Sequence, residues 1–222
     1  MAARMKGHRT VGWVPPTIDV DDPSAVARAI EVLREGGAVV LPTDTVYGLA
    51  VATSVPSATA SVFAIKGRPT SVPLAVLVDS LDQARALCDP PTPAVQRVVE
   101  RLWPGPLTVV LRRAEGSASV ELGGDGSTVG VRCPDSAFVR AVAREVGPLA
   151  TTSANRHGEP TGVTAAEVEV ALALADDDVA LIVDGGACAG VASTVIDGTD
   201  PALPVLRSGP ISQEQIAASA LP

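Results

Sequence analysis

The sequence predicts an α/β domain, and three observations carry that prediction. Short apolar runs of the length of buried strands alternate with segments whose apolar residues recur at helical spacing. No repeat, low-complexity tract or linker interrupts them from about residue 18 onward, and the alternation is too irregular for a regular barrel. The third observation is size: 222 residues, 46% hydrophobic and 19% charged, suffice to bury roughly 70% of the unfolded surface in one core. With 2% aromatic residues, that core must be built from Val, Leu, Ile and Ala.

Residues 1–17 read as an extended, Pro-punctuated lead-in. Asp22 and Pro23 read as an N-cap and first helical position, and Val26, Ala29, Ile30 and Leu33 follow on one face until Gly36 and Gly37. Ala38–Leu41 suits a buried strand, Pro42–Thr45 a polar turn, and Tyr47–Ala52 a second strand. A helix from about Ser57 runs out at Lys66-Gly67-Arg68-Pro69 and precedes the strand Leu74–Val78. Ser80 opens a helix through Leu87, and Val95, Val98, Val99 and Leu102 mark another, which Pro104 and Gly105 end. Leu107–Leu111 is a strand, followed by a loop with Gly123, Gly124 and Gly126 and the strand Thr128–Arg132. Asp135 starts a helix with Phe138, Val139, Val142 and Val146 inward, and Leu149–Thr152 leads into Ser153-Ala154-Asn155. Thr164 and Glu167 form a capping-box pattern before a helix to about Ala175. Strands at Ala180–Val183, Ser193–Ile196 and Pro204–Leu206 follow, and Ser212 with Gln215 caps a short terminal helix.

Composition excludes several functions. A net charge of -8 repels a polyanion unless basic residues gather on one face, so nucleic acid is not the default partner. No stretch approaches the length of a membrane span, and the basic opening MAARMKGHRT is not followed by an apolar signal core. Cys88, Cys133 and Cys188 form no CxxC pair, which argues against a disulfide framework or zinc site and makes a reducing cytoplasm the simplest compartment. The phosphate-loop, dinucleotide, nucleophile-elbow and HExxH motifs are all absent, and no cysteine has a plausible base beside it.

Scarcity is informative where composition is not. The chain holds two lysines, Lys6 in the lead-in and Lys66, and a single asparagine, Asn155. Lys66 and Arg68 flank Gly67, a spacing that lets both converge on one anion, although basic residues also suit a solvated helix end. Ser153 and Asn155 end a buried-looking strand, where they either position a ligand or form a plain turn. Thr43, Asp44 and Thr45 offer hydroxyls and a carboxylate, yet Pro-Thr-Asp is also an ordinary turn former. Arg132 and Arg207 each end a strand, and guanidinium pairs suit phosphate or carboxylate. Together these residues describe an anion pocket that binds and polarises phosphates without an acid–base dyad.

LPTDTVYGLA at 41–50, KGRP at 66–69, PGPLT at 104–108, TVGVR at 128–132, TTSAN at 151–155 and STV at 193–195 resemble, in order and spacing, the YrdC/Sua5 family of L-threonylcarbamoyladenylate synthases. The resemblance covers residues 18–210 and implies a twisted open mixed sheet with helices and a concave basic cavity, residues 211–222 forming a short terminal helix and tail. It implies that ATP, L-threonine and bicarbonate or CO₂ give threonylcarbamoyl-AMP and pyrophosphate, with Mg²⁺ on the ATP and no protein side chain as its ligand. A tRNA threonylcarbamoyl-transferase complex would then use the product at adenosine 37. Carried over by motif, the family's KxR and SxN fall on Lys66, Arg68, Ser153 and Asn155 as catalytic residues. Thr45, Arg132, Thr151 and Ser193 match the L-threonine contacts, and Arg68, Thr128, Ser153, Thr161 and Arg207 the ATP contacts. Members often carry a His in the strand after KGRP, where this chain has Leu77, which cannot hydrogen-bond; strict threonine specificity is left open. Two alternatives stand beside this reading: a module that binds double-stranded RNA or tRNA without turnover, and a carbamoyl-adenylate-forming domain.

Overall fold

The computed structural model describes residues 15–117, 120–172 and 179–222. Lys6, His8 and the rest of 1–14, and the helical residues expected at 173–175, lie outside the described residues.

In chain order the elements are β1 (Thr17–Asp19), α1 (Ala25–Arg34), β2 (Ala38–Leu41), β3 (Gly48–Ala52), α2 (Ala58–Lys66), β4 (Ala75–Leu77), α3 (Leu81–Ala84), α4 (Pro93–Leu102) and β5 (Leu107–Arg112). After a 3₁₀ turn at Glu115–Ser117 come β6 (Thr128–Arg132), α5 (Ala137–Val146), β7 (Leu149–Ser153), α6 (Ala165–Leu172), β8 (Val179–Asp184), β9 (Thr194–Asp197), β10 (Val205–Arg207) and α7 (Gln213–Ala220). The strands form one open mixed sheet in the order β1-β8-β2-β3-β7-β4-β6-β5-β9-β10.

Four local details depart from the sequence reading. α1 begins two residues after the expected position, because the Asp22 carboxylate closes a turn onto Ser24 N and Oγ (2.8 and 2.7 Å) instead of capping the helix. The helix expected from Ser80 to Leu87 holds only Leu81–Ala84. The end of the lead-in becomes β1, an edge strand parallel to β8 with Thr17 opposite Ile182. The helix expected to start at Asp135 is instead capped by Ser136 and begins at Ala137, whereas Gly36 takes φ +83° after α1 and Ser212 and Gln215 form a reciprocal capping box on α7.

Alternation along the strands divides the apolar residues between two clusters. Val40, Leu49, Val76, Val109, Val131 and Ile196 join the cluster that holds α2, α4, α6 and α7. Val39, Leu41, Ala50, Leu77, Leu149 and Val183 join the other, with α1 and α5. α7 lies against α4 and its Ile216 is fully buried, so the terminal segment belongs to the packing of the domain. The α1–α5 pair packs on β8, β2, β3, part of β7 and Leu77 of β4, and among the described residues no helix joins that cluster from the rest of the face, toward β10. There the functional side chains lie.

Candidate functional site

On the uncovered face, the side chains of β4, β5, β6, β7, β9 and β10 line a cavity of about 340 Å³, within the range of small-molecule sites. Register sets which residues meet. Leu77 lies opposite Leu149 and Arg132, Ala75 opposite Thr151 and Gly130, and Arg207 opposite Val195. Small residues at Gly48, Ala75 and Gly130 leave the floor low, while Thr45, Thr128, Thr151, Ser153, Thr161 and Ser193 supply hydroxyls around it.

Among the described residues, three guanidiniums line this cavity and no acidic residue does. Arg132, 6% exposed, donates from Nε to Gly105 O (3.0 Å), from Nη1 to Thr45 Oγ1 (2.7 Å) and from Nη2 to the Asp44 carboxylate. Arg207 donates from Nε and Nη2 to Ser193 O (3.1 and 2.9 Å) and from Nη2 to Ser193 Oγ (3.0 Å). Ser193 Oγ in turn sits 2.8 Å from Thr108 Oγ1. Arg68 donates to Val72 O (3.0 Å) and Pro73 O (2.8 Å). Each guanidinium has five N–H donors, so each is anchored by the backbone with at least two donors to spare. Burial lowers the pKa of all three; the charge of Arg207 presses further on Arg68, and on Arg132 it adds to burial against the larger raising effect of the paired Asp44. An anion in the cavity would relieve that repulsion.

Lys66 and Asn155, the two scarce residues, meet behind this wall and do not line the cavity. The buried Lys66 ammonium donates to Ser153 O (2.6 Å), Asn155 O and Asn155 Oδ1 (2.8 Å), which uses all three of its protons. Asn155 Oδ1 also accepts from Ser153 Oγ (2.6 Å), and Asn155 Nδ2 donates to Glu159 O. Burial, with the Arg68 charge second, brings the Lys66 pKa down to about 8. The KxR and SxN segments are therefore tied together, with Lys66 holding the turn in shape and Arg68 facing the cavity. The Ser153 proton points to Asn155, so meeting an anion as donor requires that hydroxyl to rotate.

The remaining sequence candidates also have definite places. Thr45 and Arg132 bond directly, and Thr151 Oγ1 donates to Leu49 O (3.1 Å), while Thr128 and Thr161 are among the cavity's lining residues. Three residues were not expected as components. Thr108 supports Ser193; Gly130 opens the floor and is marked by strand alternation between Thr128 and Arg132. Tyr47, the sole tyrosine, is fully buried and donates to Gly186 O (2.7 Å) while accepting from Gly185 N (3.1 Å). It holds the segment that returns to the PTDT turn, where Gly190 N donates to Thr45 O (2.8 Å). Its rarity was the available signal. A second hollow of about 470 Å³ adjoins Thr128, but its lining carries Asp89 and Glu115 as well as Arg112 and Arg113, so its formal charges offset.

An open mixed sheet with anchored guanidiniums and hydroxyls around one cavity defines an α/β protein whose site is chemically suited to an anion. The chain belongs to the Sua5/YciO/YrdC family, whose sequence profile, described as "Telomere recombination", matches residues 31–209. It is 36% identical over 216 residues to the threonylcarbamoyl-AMP synthase of Bacillus subtilis (strain 168), covering 96% of this chain and 61% of that protein. The chain thus spans about three fifths of that relative. It is also 36% identical over 206 residues to a putative threonylcarbamoyl-AMP synthase of Mycobacterium tuberculosis (strain ATCC 25618 / H37Rv), covering 90% of this chain and 93% of that one. Among solved structures, Pyrococcus abyssi Sua5 complexed with L-threonine matches with a TM-score of 0.84 at 32% identity, over 93% of this chain and 61% of that chain. The open sheet and the family expected from the motifs are those observed.

Proposed function

We infer that the protein is an L-threonylcarbamoyladenylate synthase. The observation that carries this is the convergence of Arg68, Arg132 and Arg207 on a cavity that no carboxylate of the described residues lines, in a chain of net charge -8. The family's synthases, and the relative solved with L-threonine, support the choice of substrates.

In this reading Arg132 takes the threonine carboxylate with its spare N–H groups while Thr45 braces it. The uncharged amine attacks the carbon of CO₂ with release of a proton, or that of bicarbonate with release of water, to leave a carbamate. A carbamate oxygen then attacks the α-phosphorus of ATP in line; the new P–O bond forms as the bond to pyrophosphate breaks. Arg68 and Arg207 offset the phosphate charge and that developing on the leaving group. Lys66 and Asn155 act as positioning residues for the Ser153 turn, and Thr128 and Thr161 border the nucleotide.

The cavity donors suit anions, and among the described residues no group of three His, Cys, Asp or Glu gathers for a metal ion. Mg²⁺ would enter with the triphosphate, and no step is assigned to it. The product would pass to a tRNA threonylcarbamoyl-transferase complex in the cytoplasm. No helix among the described residues is long and apolar enough to cross a membrane.

The test is pyrophosphate release from ATP and Mg²⁺, omitting threonine and bicarbonate in turn. Release that requires both is expected. Release driven instead by carbamoyl phosphate would make this a carbamoyl-adenylate former. No release, with salt-dependent binding of tRNA or duplex RNA, would replace the synthase with an RNA-binding module.

A further inference from the structure

β9 presents successive residues to opposite sides of the sheet. Ser193 and Val195 line the cavity, whereas Thr194 between them belongs to the other side, where Ile196 and α7 pack. Thr194 is fully buried, and its hydroxyl bonds one residue in both directions: Oγ1 donates to Ile211 O (2.8 Å) and accepts from Ile211 N (2.9 Å). That fixes the bend at 208–211, between β10 and α7, onto β9. No side chain separates the two. A Cβ on Gly209 would meet Thr194 N, and would lie 2.6 Å from both Ala192 O and Ser193 C.

Arg207 is the residue just before this bend. Its Nε and Nη2 are committed to Ser193, so among the described residues Nη1 carries the protons left for an anion. Two neighbours on β9 therefore hold the two ends of segment 207–211: Ser193 holds Arg207 and Thr194 holds Ile211. Beyond the bend, Ser212 caps α7, the buried Ile216 seats that helix, and Arg97 of α4 donates to Ala220 O (2.8 Å). With α7 fixed, slack created by releasing Ile211 falls on the Arg207 end. A side chain without the hydroxyl also leaves Ile211 N and O short of a partner, which favours lifting the bend toward water.

We propose that Thr194 is a positioning residue for phosphate binding: by bonding Ile211 in both directions it sets where Arg207 presents Nη1, and it touches no ligand itself. This rests on the synthase reading, in which Arg207 meets the triphosphate. A misplacement of about 1 Å in such a group is worth on the order of 10²-fold.

The experiment is calorimetric binding of α,β-methylene-ATP, with steady-state pyrophosphate release, in the wild type, Thr194→Val, Thr194→Ser, Arg207→Gln and the Thr194→Val/Arg207→Gln double variant. Thr194→Val should weaken analogue binding and raise the ATP KM roughly tenfold or more, while the threonine KM stays within about twofold. In the Arg207→Gln background it should add less than about twofold, because its effect passes through Arg207. Thr194→Ser, which keeps the hydroxyl, should match the wild type. A full additional loss in the Arg207→Gln background, an equal rise in both KM values, or no rescue by serine overturns the proposal, as does a wild type that does not bind the analogue. Where Thr194→Val does not fold, hydrogen exchange of the Ile211 amide in the wild type decides: bound analogue should slow it, since coupling is reciprocal, and an unchanged rate overturns the proposal. Non-additive loss of binding without pyrophosphate release under any condition sinks the synthase and leaves the positioning role. Release that requires threonine and bicarbonate, with additive losses, sinks the positioning role and leaves the synthase.

Discussion

Lys66 spends every proton on the turn that contains Ser153 and Asn155, so its substitution should act through geometry and charge together. Lys66→Met leaves three buried oxygens short of a donor and is expected to lower kcat about 10²- to 10³-fold, as loss of a preorganised donor does; steady-state pyrophosphate release checks it. Lys66→Arg should not rescue, because a planar fork does not match three acceptors converging on one nitrogen. The lowered pKa adds a pH signature. As pH rises through about 8 the ammonium loses its charge and ATP affinity should fall, while the arginines stay charged. Calorimetry at pH 7 and 9 would show the fall in the wild type and its absence in Lys66→Met. Scarcity in the sequence pointed to Lys66 and Asn155; that they bond each other instead of lining the cavity depends on α2 and β7 meeting in space.

Among the strands, the uncovered face depends on small residues at its centre. A Cβ on Gly130 would meet Thr108 Cγ2 at 3.4 Å, an ordinary contact, on the side that lines the cavity. Gly130→Val should therefore keep the fold, with a thermal midpoint unchanged or raised because β-branched residues favour strands by up to about 1 kcal/mol. It should lose ATP binding, as measured by calorimetry. A lowered midpoint with binding retained would contradict this account of the floor. Strand existence was readable from the apolar runs and helix ends from Gly and Ser. The start of α1 was not, because Asp22 can cap a helix or close a turn with the same carboxylate.

The molecule as a whole carries its ionisable burial unevenly. Burial raises the thiol pKa of Cys88 and Cys133 to about 11 and the Tyr47 phenol to about 12. In each case the unfolded chain ionises first, from ordinary values of 9.0 and 10.0. Their stabilisation is therefore complete below those values and is lost as pH rises through the folded ones. Lys66 works in the opposite sense between about 8 and its ordinary 10.5, but it is one group against three. Denaturant unfolding should show stability falling above about pH 9, less steeply in Cys88→Ala.

Local chemistry in the chain was sufficient for the α/β class, most element positions and the family, and it pointed to many of the polar residues that line the cavity. Periodicity, turn residues and motif spacing act over a few residues and can be read along one dimension. Which of those residues face a ligand was decided by the sheet. Register places Leu77 beside Arg132, strand alternation turns Gly130 into a floor, and on β6, β5 and β9 one face lines a cavity that no helix of the described residues fills. Pairing between distant strands and the burial that follows are properties of the packed sheet, and no single segment carries them.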